Sequence, residues 1–169
     1  MLGPELQTRA GEIIRLYVDR GLQIVTAESC TGGLVASCLT AIAGSSAVVE
    51  RGFVTYSNEA KIELLSVPAE LIASVGAVSA EAAAAMVCGA LAHSRADIAV
   101  SVTGIAGPGG GSEEKPVGLV HFACAGRNER PKLVEKRFGE IGRAAVRQKS
   151  VEVALDLLAE VALTVPARP

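Results

Sequence analysis

Tryptophan is absent from this 169-residue chain, and only Tyr17, Phe53, Tyr56, Phe122 and Phe138 are aromatic, so any core must be built from Ala, Val, Leu and Ile. Long hydrophobic runs are missing too. Charges or glycines interrupt every apolar stretch before it reaches about 18 residues, the least that crosses a bilayer, and no membrane association is expected. The start, Met1-Leu-Gly-Pro-Glu-Leu-Gln-Thr-Arg9, lacks the basic segment and apolar stretch of an export signal, so the chain reads as cytoplasmic. Neither charge sign is in excess: 16 Lys and Arg face 18 Asp and Glu, a net −2, which removes the electrostatic reason to expect nucleic acid. Cys30, Cys38, Cys88 and Cys124 have no Cys-x-x-Cys spacing, and three of them fall in apolar helix or strand patterns where free cysteine acts as a small buried hydrophobe. Neither a zinc site nor a disulfide framework is expected.

What remains is half hydrophobic by count with 18 glycines, the composition of one compact domain over residues 1–169. Ile13, Ile14, Leu16 and Tyr17 recur at helical spacing in a first helix from Leu6, closed by Gly21. Gln23–Ser29 is β-branched and predicts a strand, and Thr31–Ile42 then reads as an apolar helix opened by small residues. Val48–Tyr56 is a second strand, with Ser57 or Asn58 placed to cap a helix containing Lys61. Pro68 begins a short helix, and Ser79 caps an Ala-rich one that runs to about Ser94. Ile98–Thr103 is apolar throughout, as in a parallel strand covered on both faces. Two further strands, Gly118–Ala125 and Lys132–Phe138, are joined by a hairpin, and Arg143–Leu163 closes the chain as a long helix. The pattern predicts a three-layer α/β/α sandwich on a mixed sheet of about five strands. Ligands in such folds sit outside the carboxyl ends of the strands, which brings the turns after Ser29, Tyr56 and Thr103 to one edge.

At the first of these turns, Glu28-Ser-Cys-Thr-Gly-Gly33 leads a strand into a helix N-terminus. Ser29 there could attack a carbonyl while the N–H groups of Cys30, Thr31, Gly32 and Gly33 hold the oxyanion; equally, Ser29 or Thr31 could only cap the helix. A base is needed. His93, at a helix end, and His121, within a strand, fall away from the ligand edge and read as structural or exposed. Lys61 is the alternative, because a buried lysine loses its proton more readily, although its position also suits an ordinary solvated lysine. The Gly-rich segment 104–117 can cradle a phosphate or a nucleotide with its N–H groups, or be a flexible surface loop; it has neither Walker A order nor a following helix. Glu113 and Glu114 read as a metal pair or, more simply, as solvated carboxylates.

Taken together, Thr26-Ala-Glu-Ser-Cys-Thr-Gly-Gly33, Arg51-Gly-Phe-Val-Thr-Tyr-Ser-Asn-Glu-Ala-Lys61, Gly76-Ala-Val-Ser79 and the run from Thr103 to Gly118 closely resemble the CinA C-terminal domain family, from about Leu6 to Leu163. The resemblance implies the domain's stand-alone form, which hydrolyses the carboxamide of nicotinamide mononucleotide to nicotinic acid mononucleotide and ammonia in pyridine-nucleotide recycling. It implies Ser29 as nucleophile and Lys61 as general base, with no metal and no organic cofactor. Tyr56, Asn58 and Thr103, with Gly104 at the glycine-loop entrance, match positions expected to orient the dyad or contact substrate. Arg143 and Arg147 resemble an Arg-x-x-x-Arg in which one arginine meets the substrate phosphate; the Gly-Asp usual before it is Ile141-Gly142 here. Without Trp, the pyridine ring must be held by Tyr56, by a Phe, or by aliphatic and backbone surfaces. Association into a homo-oligomer is expected of a compact domain of this kind. Two other classes stay open: a non-catalytic nucleotide-binding or adaptor module in competence or DNA-damage responses, and phosphoryl transfer on the glycine loop.

Overall fold

The computed structural model describes residues 3–168. Helix α1 (Pro4–Arg20) begins with proline, whose fixed φ suits a first turn, and stops at Gly21, which takes the left-handed φ of 63° and returns its N–H to the Tyr17 and Val18 carbonyls. Strand β1 (Ile24–Glu28) leads to α2 (Leu34–Thr40), a one-turn 3₁₀ helix (Ser45–Ala47) and β2 (Val49–Val54). Helix α3 (Asn58–Leu65) is capped by Ser57, whose hydroxyl accepts the Ala60 N–H. Then come α4 (Ala69–Val75), α5 (Ala80–Ala92), capped by Ser79, and β3 (Ile98–Gly104). The hairpin β4 (Leu119–Gly126) and β5 (Lys132–Arg137) precedes α6 (Arg143–Ala162).

The five strands form one mixed sheet in the order β2-β1-β3-β4-β5, parallel from β2 to β3 and antiparallel beyond. Helices cover both faces, as the alternation of patterns predicts. Ile24, Val100 and Phe122 pack against α1, α2 and α6 through Tyr17, Leu39, Leu155 and Leu158. On the opposite face Val25, Ala27, Ala99 and Ala123 meet Ala83, Met86, Val87 and Ala90 of α5. Small residues on that face admit a close approach: a Cβ at Gly89 would lie 1.9 Å from the Leu65 carbonyl oxygen, so α5 touches the end of α3 backbone to backbone. Among the described residues no helix is long and apolar enough to cross a membrane.

Three sequence expectations are corrected. Helix α2 begins at Leu34 rather than Thr31, because Gly32 and Gly33 take φ values of 59° and 94° that no helix accommodates. Cys88, expected inside, is exposed on α5, while Cys30 in the turn is buried with Cys38 and Cys124. His121 does not lie away from the ligand edge. The antiparallel register pairs it with Thr103, at the carboxyl end of β3.

Candidate active site

Strand alternation decides what faces what at the end of β1. Glu28 points to the α2 side and is fully buried. Its Oε2 accepts the N–H groups of Gly33 and Val35, both at 3.0 Å, and its Oε1 that of Ala36 at 2.9 Å. A helix N-terminus leaves its first N–H groups without carbonyl partners and is electropositive; here a side chain from the preceding strand fills that place. Sequence reasoning quoted Glu28 without giving it a role. The signal was an acid ending a buried strand, followed by a glycine pair and a helix with no Ser, Thr, Asp or Asn at its cap.

Ser29, next along, continues the sheet through its N–H to the Val102 carbonyl, 2.9 Å away, and turns its hydroxyl to the other side. There it meets Lys61. The two residues are 32 apart in sequence, and Lys61 Nζ lies 2.9 Å from Ser29 Oγ. Lys61 is 1% exposed, so it is not the solvated helix lysine that its periodicity allowed. The strand-to-helix corner wraps it in carbonyls, Thr55 at 2.8 Å, Ser57 at 3.4 Å and Tyr56 at 3.5 Å. Thr55 is itself fixed by donating its N–H to the Glu28 carbonyl at 2.8 Å. Burial lowers the Lys61 pKa from the ordinary lysine value, with the neighbouring Cys30 opposing the shift. A neutral amine has two N–H donors and one lone pair. In that form of Lys61 the carbonyl cage would take the donors and leave the lone pair towards Ser29 Oγ.

The expected oxyanion donors divide. Gly32 donates its N–H to the Ser29 carbonyl at 3.0 Å and Gly33 gives its N–H to Glu28, so neither is free for a ligand. Among the described residues the N–H groups of Cys30 and Thr31 donate to no acceptor. Of the four expected donors, these two are left available to a ligand. The Cys30 thiol is buried and pushed up to about 11, chiefly by that burial, and is no rival nucleophile.

The two arginines also divide. Arg147 is partly buried and donates from Nε to the Cys30 carbonyl at 3.1 Å and from Nη2 to the Thr31 carbonyl at 2.9 Å. Arg143, one turn earlier, is exposed and bridges the mouth, with Nη1 donating to the Gly107 carbonyl at 3.0 Å and Nη2 to the Tyr56 hydroxyl at 2.7 Å. Tyr56 is the exposed aromatic here, since Tyr17 and Phe122 lie in the core and Phe53 and Phe138 pack against it. Asn58 opens α3 with an exposed side chain. Thr103 is buried and donates its hydroxyl to the Ala77 carbonyl at 2.8 Å, so it ties the end of β3 to the segment between α4 and α5. Gly104 permits a close backbone approach: a Cβ would sit 2.7 Å from the Leu119 carbonyl oxygen. His93 pairs with Ser66, 2.9 Å away. His121 is buried on the α5 side, 3.8 Å from Glu135. Glu113 and Glu114 are exposed, and among the described residues no group of three His, Cys, Asp or Glu side chains could hold a metal.

The arrangement is a hydroxyl in hydrogen-bond contact with a buried amine, beside two free backbone donors and an exposed cation, which is the equipment of nucleophilic acyl transfer. The sequence profile of the CinA C-terminal domain matches residues 6–162. The chain is 50% identical over 159 residues to the nicotinamide-nucleotide amidohydrolase PncC of Escherichia coli strain K12, covering 94% of this chain and 95% of that one. The crystal structure of the competence/damage inducible protein CihA from Agrobacterium tumefaciens superposes with a TM-score of 0.93 at 52% identity, covering 95% of this chain and 98% of that one. Other curated relatives are longer. The chain spans 30% and 38% of the matching proteins from Symbiobacterium thermophilum and Caldicellulosiruptor bescii, and 37% of a CinA-like protein of Chloroherpeton thalassium, to which it is 49% identical over 160 residues.

Proposed function

This chain belongs to the CinA C-terminal domain family, and on that premise we propose that it is a nicotinamide-nucleotide amidohydrolase, a single domain that converts nicotinamide mononucleotide to nicotinic acid mononucleotide and ammonia. The observation that carries the reading is the buried contact of 2.9 Å between Lys61 Nζ and Ser29 Oγ; the near full-length likeness to PncC supports the choice of substrate.

In the proposed reaction, neutral Lys61 takes the Ser29 proton as Oγ bonds to the carboxamide carbon, and the Cys30 and Thr31 N–H groups receive the oxyanion. The carbon–nitrogen bond then breaks, the leaving nitrogen takes the proton back from Lys61, and ammonia departs. Water adds to the nicotinoyl ester with Lys61 again as base, and the proton returns to Ser29 as acid is released. Arg143 is the cation free to meet the substrate phosphate, with Tyr56 and Asn58 beside it to contact ribose or ring. No step requires a metal or organic cofactor.

Ammonia release from nicotinamide mononucleotide, compared with nicotinamide and NAD, tests the reading. The mononucleotide is expected to be the preferred substrate, and Ser29→Ala to lose several orders of magnitude in rate, as coupled nucleophile–base sites do. A purified protein that binds the mononucleotide without releasing ammonia would return the adaptor reading; near-normal rates in Ser29→Ala would refute the mechanism.

A further inference from the structure

Arg147 spends both its hydrogen bonds on backbone carbonyls and none on a carboxylate. The direction of those bonds has a consequence for the turn beneath it. A trans peptide points its carbonyl and its N–H in opposite directions. Arg147 Nε holds the Cys30 carbonyl at 3.1 Å, so the N–H of the same peptide, that of Thr31, points away from α6. Helix α6 lies on the Glu28 face of the sheet, with α1 and α2. Lys61 and the Ser29 hydroxyl lie on the other side of the β1 end. The second bond, Nη2 to the Thr31 carbonyl at 2.9 Å, fixes the next peptide and sends the Gly32 N–H back to the Ser29 carbonyl at 3.0 Å. That closes a four-residue turn in which Ser29 C=O points inward and the Cys30 N–H outward.

Resting on the amidohydrolase reading, we propose that Arg147 is the positioning residue of the oxyanion hole: its guanidinium grips the Cys30 and Thr31 carbonyls and thereby aims the N–H groups of Thr31 and Cys30 at the oxygen that becomes negative. Its charge adds to the alignment. A cation on the carbonyl oxygen polarises the peptide and strengthens its N–H as a donor, because linked hydrogen bonds reinforce one another. The rigid planar fork is what the task requires. A lysine brings the same charge as a rotatable point and lacks the planar fork that sets two carbonyls at fixed relative angles. The role differs from that of Arg143 on the same helix, which faces Gly107 and Tyr56 at the mouth.

The test compares wild type, Arg147→Lys and Arg147→Met on nicotinamide mononucleotide and on its thioamide analogue. Sulfur accepts hydrogen bonds weakly, so an intact hole favours the amide over the thioamide. For Arg147→Lys the expected result is a fall in kcat of about 10–100-fold, short of the 10²–10³ that follows loss of a whole oxyanion donor, with KM nearly unchanged and the amide-to-thioamide rate ratio reduced towards one. Thermal melts of each variant separate folding from positioning, and Arg147→Lys carries the test if Arg147→Met does not fold. A folded variant with lowered kcat and an unchanged rate ratio would overturn the proposal and reduce Arg147 to a structural brace, as would an effect confined to KM. A wild-type protein without amidase activity would overturn the amidohydrolase reading itself, a separate and distinguishable result.

Discussion

Replacing Glu28 by Gln is the sharpest test of how this site is held up. The change is nearly isosteric and removes only a charge and one acceptor. In the wild type, Oε2 accepts two N–H groups, from Gly33 and Val35, and Oε1 accepts one, from Ala36. Glutamine does best with its carbonyl oxygen in the Oε2 position, where both bonds survive without their ionic component. Its amide NH2 then faces the Ala36 N–H, donor against donor, at a spacing that was 2.9 Å. The opposite orientation is worse, because two donors then oppose two. A hydrogen bond to a charged group contributes about 1.5–3 kcal/mol and an unsatisfied buried donor costs about 1–3 kcal/mol, so the expected loss is about 3–5 kcal/mol. That is a large share of the ~5–15 kcal/mol that holds a domain folded. At about 2–4 °C per kcal/mol for a chain of this length, the melting temperature should fall by about 6–20 °C. Urea unfolding followed by circular dichroism, with the m-value checked for constancy, measures it. A Glu28→Gln protein within about 1 kcal/mol of wild type would refute the claim that this carboxylate caps α2, and with it the account of why Gly33 donates nothing to a ligand.

In the proposed mechanism Lys61 acts in its neutral form, so kcat/KM should climb with pH and level off above an apparent pKa lying below the ordinary lysine value of 10.5, in the direction its burial dictates; Lys61→Arg, which cannot deprotonate, should be inactive at every pH in the same ammonia assay, and a pH-independent profile would count against the base. Arg143→Ala should raise KM for the mononucleotide at least 10-fold while leaving whatever rate free nicotinamide shows unchanged, since only the former carries a phosphate; equal effects on both would remove the phosphate role. At Gly89, alanine would ordinarily gain about 1 kcal/mol of helix propensity, but its Cβ would lie 1.9 Å from the Leu65 carbonyl, so Gly89→Ala should lower the urea midpoint, and a stabilised variant would show that α3 and α5 separate easily. His121 is held below its ordinary pKa by burial, with Glu135 and Glu81 opposing and Lys115 and Arg137 assisting. A depressed histidine makes the unfolded chain the better proton binder. Its contribution is therefore complete above about pH 6.5, falls as pH drops below that, and should flatten in His121→Gln when urea midpoints are compared at pH 8 and pH 5.5.

The sheet was readable from the chain because its signals are local. Ile98–Thr103 is buried on both faces, as its mostly apolar run suggests, α1 ends at a glycine, and Ser57 and Ser79 cap the helices they precede, as their positions suggest. Convergence of three turns followed from parallel topology alone. The site needed more. Lys61 sits among Glu59, Ala60 and Glu63, and nothing in that spacing marks it as buried, because the wall that covers it comes from the end of β1 and the corner after β2. The residues alone offered Lys61 as one possible base for Ser29, and only the family resemblance singled the pair out. Glu28 escaped notice because its partners are backbone N–H groups five to eight residues ahead, which leave no trace in composition. The arginine pair was legible as a pair and illegible as two jobs. Helical spacing puts Arg143 and Arg147 on one face, yet one meets the mouth and the other the turn beneath Ser29. Cys88 and His121 were misread for one reason: a residue's local pattern does not say where the helix or strand meets its neighbours.

Strand β2 is an edge, hydrogen-bonded to β1 on one side and unpaired on the other, and the carbonyls that cage the Lys61 amine belong to the three residues of the corner just beyond it. Edges exchange their amide hydrogens early and open without the rest of the molecule. The corner that holds the Lys61 amine is therefore anchored to an edge of the sheet, while Ser29 ends the strand next to its middle. Loss of activity and loss of fold are then separate events: mild denaturant should release Lys61 from its carbonyls, restore its solvation and silence the dyad while β1, β3 and β4 remain intact.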